Sequence, residues 1–379
     1  MNQMRYVMTA EHDAFRDQFR RFLEKEVLPY HEEWESQGFV PRSLWLRAGE
    51  LGFLCPMMPE EYGGSGVDFG YAAVVLEEIA RLNLSGLGFT MHSDIVAPYL
   101  LAYATDEAKK NFLPRMARGE TIGALAMTEP GTGSDAKAMR TEARRDGDDY
   151  ILNGSKTFIT NGYNCGLVIV AAKTNPQAGH KGISLFVVED GTPGFTKGRN
   201  LKKIGLAAQD TAELFFQDAH VPAMNRLGEE NQGFYYLMHE LAQERLSIAL
   251  RAAASMEAML EKTITYTKER NVFGRPIFEF QNSKFKLAEA KAQSEMFRVF
   301  VDDCLAKHLR RELTPERAAM AKLLGPEMQN RLLDDFLQLH GGYGYMSEYG
   351  IGRAWIDARV MRIYGGSSEI MKEIIGRSL

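Results

Sequence analysis

The stretch after Thr128-Glu129-Pro130-Gly131-Thr132-Gly133-Ser134-Asp135 decides which architectures are open to this chain. Gly131-x-Gly133-x-x-Ala136 has the spacing of a dinucleotide-binding turn, which needs a strand before it, a helix after it and then a parallel strand. The apolar run 122–127 supplies the strand. The helix is missing. Residues 141–145, 150–152 and 156–159 are short β-like runs joined by Asp146-Gly147-Asp148 and Asn153-Gly154, pairs that reverse a chain in antiparallel hairpins. A doubly wound nucleotide fold is therefore excluded. Gly131 and Gly133 let backbone approach a flat or phosphorylated ligand, and Thr128 and Ser134 offer hydroxyls to its polar edges. A strand-end turn without a ligand is the alternative at this point.

The pattern on both sides is helical. Thr9 with His12-Asp13 opens a helix running to Pro29, Pro41 starts another reaching Leu51, and further helices are expected at 71–81 and near 92–103. Residues 91–101 are a candidate wall of an apolar cavity or ordinary core. Strand-like runs at 167–172, 183–188 and 212–216 extend the middle region, and long helical runs return at 234–270, 281–311, 315–341, 351–359 and 368–377. The expected fold is α+β: an N-terminal α-helical domain over 1–120, a middle antiparallel β-sandwich or barrel-like domain over 121–228, and a C-terminal four-helix-bundle domain over 229–379.

With 25% charged residues and a net charge of −5, the chain offers nucleic acid no general attraction, so phosphates must be met locally. Cys55, Cys165 and Cys304 are too dispersed for a metal-ligand pattern, and no metal is expected. The first eleven residues lack the apolar core of a signal peptide and no run approaches a membrane span, which points to a cytoplasmic protein.

Leu237, Leu241, Glu244, Ile248, Ala252 and Met256 recur at steps of three and four on one helix face. Glu244 interrupts that apolar stripe. Desolvation there raises a carboxyl pKa, the condition of a general base working near neutral pH. A structural Glu partnered by Arg245 or a neighbouring helix is the alternative, and Glu240, one turn earlier, is the fallback base.

Three separated motifs resemble the acyl-CoA dehydrogenase family. Residues 128–135 with Asn153-Gly154-Ser155-Lys156-Thr157-Phe158-Ile159-Thr160-Asn161-Gly162 look like its flavin-binding β-domain. Gln338-x-x-Gly341-Gly342-x-Gly344-Tyr345-x-x-Glu348-x(4)-Arg353-x(3)-Asp357 resembles its second signature, and the likeness runs from about Glu11 to the C-terminus. Most members place the base directly after the Tyr of an Ile-Tyr-Glu-Gly-like segment. Here Ile363-Tyr364-Gly365-Gly366-Ser367 puts a glycine at that point. The isovaleryl and long-chain subfamilies resemble this arrangement, with the base moved to a Glu-Arg on the helix that begins the C-terminal domain, matched by Gln243-Glu244-Arg245-Leu246.

The resemblance implies FAD as cofactor, an acyl-CoA as substrate, an electron-transfer flavoprotein as electron acceptor, and α,β-dehydrogenation to a trans-2-enoyl-CoA. Glu244 takes the α-proton, while the N–H of Gly365 and a ribityl hydroxyl polarise the thioester carbonyl. Met127, Thr128, Gly133 and Ser134 contact the ring and ribityl region, with Ser134 also near the CoA arm. Phe158, Ile159 and Thr160 cover the ring, and Ser367 and Glu369 open the last helix toward polar flavin atoms. Arg270, Phe273, Gln281, Gln338, Leu339, Gly341 and Gly342 resemble positions reaching the FAD of a neighbouring subunit. That makes a homodimer the minimum and a tetramer the family expectation. For the substrate, Tyr364, Gly365 and Gly366 border the acyl site, and Tyr235, Arg245, His180 and Lys181 are CoA candidates.

The Tyr235-Tyr236 helix, the Gly365-Gly366 pair and Glu369-Ile370-Met371-Lys372-Glu373 resemble the long-chain more than the isovaleryl subfamily. Medium or long, methyl-branched and terpenoid acyl-CoAs such as citronellyl-CoA stay open, and Asp94 and Pro98 in the candidate cavity wall caution against transferring a chain length. The competing classes are an acyl-CoA oxidase or flavin monooxygenase on the same fold, and a non-catalytic CoA-binding helical scaffold.

Overall fold

The computed structural model describes residues 5–379; residues 1–4, the start of the stretch read above as lacking a signal-peptide core, lie outside it. The first part is helical. α1 (Ala10–Phe22) starts where it does because the Thr9 hydroxyl accepts the His12 N–H while the His12 ring accepts the Thr9 N–H. It is followed by α2 (His31–Gln37), α3 (Arg42–Glu50), α4 (Phe69–Arg81), α5 (Ala97–Tyr103) and α6 (Asp106–Ala117). α4 begins two residues earlier than the apolar spacing suggests, because the Asp68 carboxylate accepts the Gly70 N–H. α6 carries Pro114 inside it, which hides it from a pattern reading. Just before α5, Met91–Val96 form a π-helix, a wider turn frequently found at functional sites.

The middle part is an eight-stranded sheet: β1 (Gly123–Ala126), β2 (Glu142–Asp146), β3 (Asp149–Thr160), β4 (Leu167–Lys173), β5 (Ile183–Glu189), β6 (Phe195–Asn200), β7 (Thr211–Val221) and β8 (Arg226–Leu227). The strand order is β6-β7-β3-β2-β4-β5-β8, with β1 on β4. The expected reversal at Asp146-Gly147-Asp148 forms. Two other expectations need correction. Asn153-Gly154 is no turn but a bulge inside β3: the register slips between Leu152 and Gly154, and a Cβ on Gly154 would sit 2.5 Å from Thr141 Oγ1. Nor is the sheet wholly antiparallel, since β1 runs parallel to β4 and Glu142 of β2 pairs in parallel with Lys173.

β4 shows why its sequence does not alternate. Val168, Val170 and Ala172 pack with Tyr150, Phe186 and Phe195 in the sheet's own core. Leu167, Ile169 and Ala171 face the N-terminal helices instead, so both faces are apolar.

α7 (Gly233–Glu269), α8 (Gln281–Leu309) and α9 (Pro315–His340), with the short α10 (Ile351–Ala358) and α11 (Ser368–Gly376) against α9, make the C-terminal bundle. Ala249, Ala253 and Met256 of α7 pack on Ala72, Ala73 and Leu76 of α4, on Phe297 of α8 and on Leu333 and Phe336 of α9. Small residues on both sides let α4 and α7 approach closely. A charged knot secures the same junction: Arg5, Arg16 and Arg298 converge on the buried Glu77. Burial alone would raise its carboxyl pKa, but the three guanidinium groups outweigh it and hold it down at about 2. No helix among the described residues is long and apolar enough to cross a membrane.

Candidate active site

Glu244 lies on α7 facing α5, and the Tyr99 hydroxyl donates to its Oε1 at 3.3 Å. Burial pushes the Glu244 carboxyl up to about 7; the Tyr99 bond and Arg245 pull the other way, and Glu240 adds to the rise. The fallback Glu240 is more heavily engaged, taking the Tyr103 hydroxyl at 3.1 Å and the His239 ring at 3.0 Å. Next to the base, Gln243 donates to the Asp94 carbonyl at 2.6 Å and meets the His308 ring at 3.0 Å. The π-turn is thereby tied to the catalytic helix. Within that turn Asp94 is buried, its Oδ2 has no partner among the described residues, and burial pushes its pKa up to about 8.

The vacant base position borders the same space. Gly365 and Gly366 have φ of +63° and +92°, and a Cβ on Gly365 would meet Ile248 Cδ1 at 2.5 Å, one turn along α7 from Glu244. Tyr364 packs on Ile248, Ala252 and Met361, and its hydroxyl lies 3.4 Å from Arg251. Arg245 is not the surface cation that a phosphate role suggests: it is 5% exposed and its Nε lacks a partner among the described residues. The other CoA candidates do gather at the start of α7, where the His180 ring lies 4.5 Å from that of Phe234, beside the half-exposed Tyr235 and the exposed Lys181.

The glycine-rich loop is held from within. Glu129 accepts the N–H groups of Arg140 and Thr141 at 2.7 and 3.0 Å and the Lys156 ammonium at 2.8 Å, and Lys156 also donates to the Met127 carbonyl at 3.1 Å. A further bond joins the Thr157 N–H to the Thr128 carbonyl at 2.9 Å, so the loop lies on β3. Its outer side is open: a Cβ on Gly131 or Gly133 would meet nothing within 4 Å. On β3, Phe158 stands 69% exposed with φ +59°, a strained conformation for an aromatic residue. Ile159, by contrast, turns its side chain into the sheet core, leaving only its backbone to a ligand.

A second cluster forms at the far end of α7. An open cavity of about 870 Å³ is lined by Arg270, Phe273, Gln338, Leu339, Gly341 and Gly342, drawn from two separate motifs. The Arg270 guanidinium lies over the Tyr343 ring at 5.2 Å. Phe273 and Gly274, with φ of +50° and +82°, form a two-residue turn joining Asn271–Val272 to Arg275–Pro276, and Phe273 is 95% exposed at its tip. Gln281 opens α8 beside this cavity, whose wall there is made by Phe280 and Asn282.

Family models for the N-terminal, middle and C-terminal domains of acyl-CoA dehydrogenases match residues 9–120, 124–219 and 231–379. The chain belongs to the acyl-CoA dehydrogenase family. It is 52% identical to the mitochondrial long-chain specific acyl-CoA dehydrogenase of Sus scrofa over 99% of this chain and 88% of that protein. An acyl-CoA dehydrogenase structure from Geobacillus kaustophilus superposes with a TM-score of 0.97 at 50% identity, covering 99% of each chain. A chain from a structure of the electron transferring flavoprotein of Acidaminococcus fermentans gives 0.94 at 35% identity, again covering 99% of each.

Acyl-CoA dehydrogenases are flavin-dependent oxidoreductases. The residues here fit a flavin: an exposed aromatic stands beside an open glycine loop, and the buried Thr132 hydroxyl in that loop has no partner among the described residues. Ser367 caps α11, accepting the Ile370 N–H, with Glu369 in the first turn, as the acyl-CoA dehydrogenase resemblance implies. Sequence reasoning assigned no role to Tyr99, Glu129 or Lys156. The signal for the last pair was a charge inside a strand run, Lys156, which is fully buried.

Proposed function

We propose that this chain dehydrogenates an acyl-CoA thioester at its α and β carbons, Glu244 removing the α-proton. The observation that carries this reading is a carboxyl poised near neutrality opposite a two-glycine turn where related enzymes carry their base. A carboxylate is far too weak a base for an unactivated C–H. The thioester carbonyl must be polarised where enolate charge develops, a task suited to the Gly365 N–H, which survives the loss of a side chain there. FAD, when bound, supplies the acceptor for the β-hydrogen.

Met127, Thr128, Gly133, Ser134, Phe158 and Thr160 would hold the ring end of the cofactor, with Ser367 and Glu369. Arg270, Phe273, Gln338, Leu339, Gly341 and Gly342 would hold an adenosine end, and Gln281 stands beside them. Glu244 and Arg270 are separated by 26 positions on one continuous helix, hence by about 39 Å at 1.5 Å per residue. One dinucleotide does not span that distance, so the two ends belong to two chains. This supports a homodimer as the smallest complete unit and a tetramer of paired dimers. The relatives' names support a long-chain or methyl-branched acyl-CoA as substrate and an electron-transfer flavoprotein as acceptor.

Anaerobic titration of the purified protein with a panel of acyl-CoAs, following flavin absorbance, tests the proposal. Bleaching by long or branched thioesters that recovers slowly in air is expected. Rapid recovery in air would indicate an oxidase, and no bleaching by any thioester would refute the reading.

A further inference from the structure

We propose that Lys322 is a positioning residue that holds the Gly365–Gly366 turn against Glu244; this rests on the role given above to Gly365. Lys322 sits on α9 with 1% exposure, and its Nζ donates to the Gly366 carbonyl. Among the described residues it has no salt bridge within contact distance: Arg245 repels it, while Glu327 and Glu369 attract it from further away. A buried ammonium with so few partners is costly, and an apolar side chain would fill the same space without that cost.

What it holds is a segment with little means of holding itself. Gly365 and Gly366 have no side chains to pack, both adopt left-handed conformations, and glycine loses more backbone freedom on ordering than any other residue. α9 grips this segment at two points. Glu327 accepts Arg362 Nε at 2.8 Å and Ser368 Oγ at 2.6 Å, fixing the two ends, and Lys322 fixes the middle through the Gly366 carbonyl. Without Lys322 the ends stay anchored and the donor between them is free to drift. A displacement of about 1 Å of a positioned group costs on the order of 10²-fold in rate.

The test is Lys322→Met in the flavin-loaded enzyme, read in two ways. Hydrogen–deuterium exchange is expected to rise in peptides covering 363–368 and not in α9, with flavin content unchanged. The limiting rate of anaerobic bleaching by acyl-CoA is expected to fall about 10- to 100-fold, with half-saturation moved less than about threefold. Lys322→Arg, which can still donate to the carbonyl, should recover most of the rate. If Lys322→Met does not fold, Lys322→Gln is read in the same assays. Loss of folding in both would assign Lys322 to the core, and an unchanged limiting rate in either folded variant would equally overturn the proposal. A wild type that no acyl-CoA bleaches overturns the dehydrogenase reading itself, whereas an active wild type with an indifferent Lys322→Met overturns this proposal alone.

Discussion

Replacing Tyr99 by Phe should move the pH dependence of catalysis in a direction fixed by the structure. With the Glu244 carboxyl at about 7, the ionised fraction is about 9% at pH 6 and about 90% at pH 8, so a rate limited by this base climbs about tenfold between them. The Tyr99 hydroxyl donates to Glu244 and favours its charged form, so removing it raises the pKa. A good hydrogen bond to a charged group contributes about 1.5–3 kcal/mol. At 3.3 Å this one is long, and half the lower value upward, about 0.7–1.4 kcal/mol, corresponds to a rise of about 0.5–1 pH unit. The rate of anaerobic flavin bleaching at saturating acyl-CoA should therefore drop about two- to fivefold at pH 7 and match wild type at pH 9. Stopped-flow traces from pH 6 to 9.5 measure both limbs. A flat wild-type profile between pH 6 and 8, or a limb that moves to lower pH in Tyr99→Phe, would refute the assignment of base and donor together.

Glu244→Gln should stay folded and yellow, bind acyl-CoA, and bleach at least about 10²-fold more slowly. It should also melt higher than wild type at pH 8. A carboxyl whose pKa is raised from 4.5 to about 7 by folding destabilises the fold as pH climbs through that window, and the amide escapes this. Glu77 has the opposite sign: with its carboxyl held at about 2 against the usual 4.5, it contributes stability above pH 4.5 that is lost as pH falls toward 2. Glu77→Gln should lower unfolding stability in urea at pH 7 by about 3 kcal/mol, because three guanidinium groups lose their common partner; a loss below about 1 kcal/mol would mean the knot is better solvated than its burial indicates. Arg270→Ala should purify with a reduced flavin-to-protein ratio while the heat stability of the apoprotein is unchanged, measured by absorbance and scanning calorimetry.

Much of this was legible in the sequence because periodicity reports burial. The long helices α7, α8 and α9 appear within a residue or two of their patterned runs, and Glu244 stands out because it breaks an apolar stripe. Errors came where backbone geometry overrides composition. Asn153-Gly154 has a turn's composition, yet Thr141 packs against it and leaves the glycine only a bulge. Parallel pairing of β1 with β4 is set by where β1 emerges from the helices, which no local pattern encodes. In the site, residues with polar atoms in one motif were found, whereas partners from other elements were not. Tyr99 meets Glu244 across 145 positions of chain, and Lys322 reaches Gly366 across 44. Arg245 was misjudged for the same reason: its burial depends on packing that lies outside its own helix.

The length of α7 has a consequence for inheritance between chains. If a single rod carries the base for one site and the adenosine anchor for its neighbour's, a chain damaged at Arg270 impairs its partner's chemistry and spares its own. Mixed pairs of Glu244→Gln and Arg270→Ala chains would then regain one working site, built from the undamaged end of each rod. Such a protein counts its lesions by pair and not by polypeptide, and faults that silence each parent would be partly cured by mixing them.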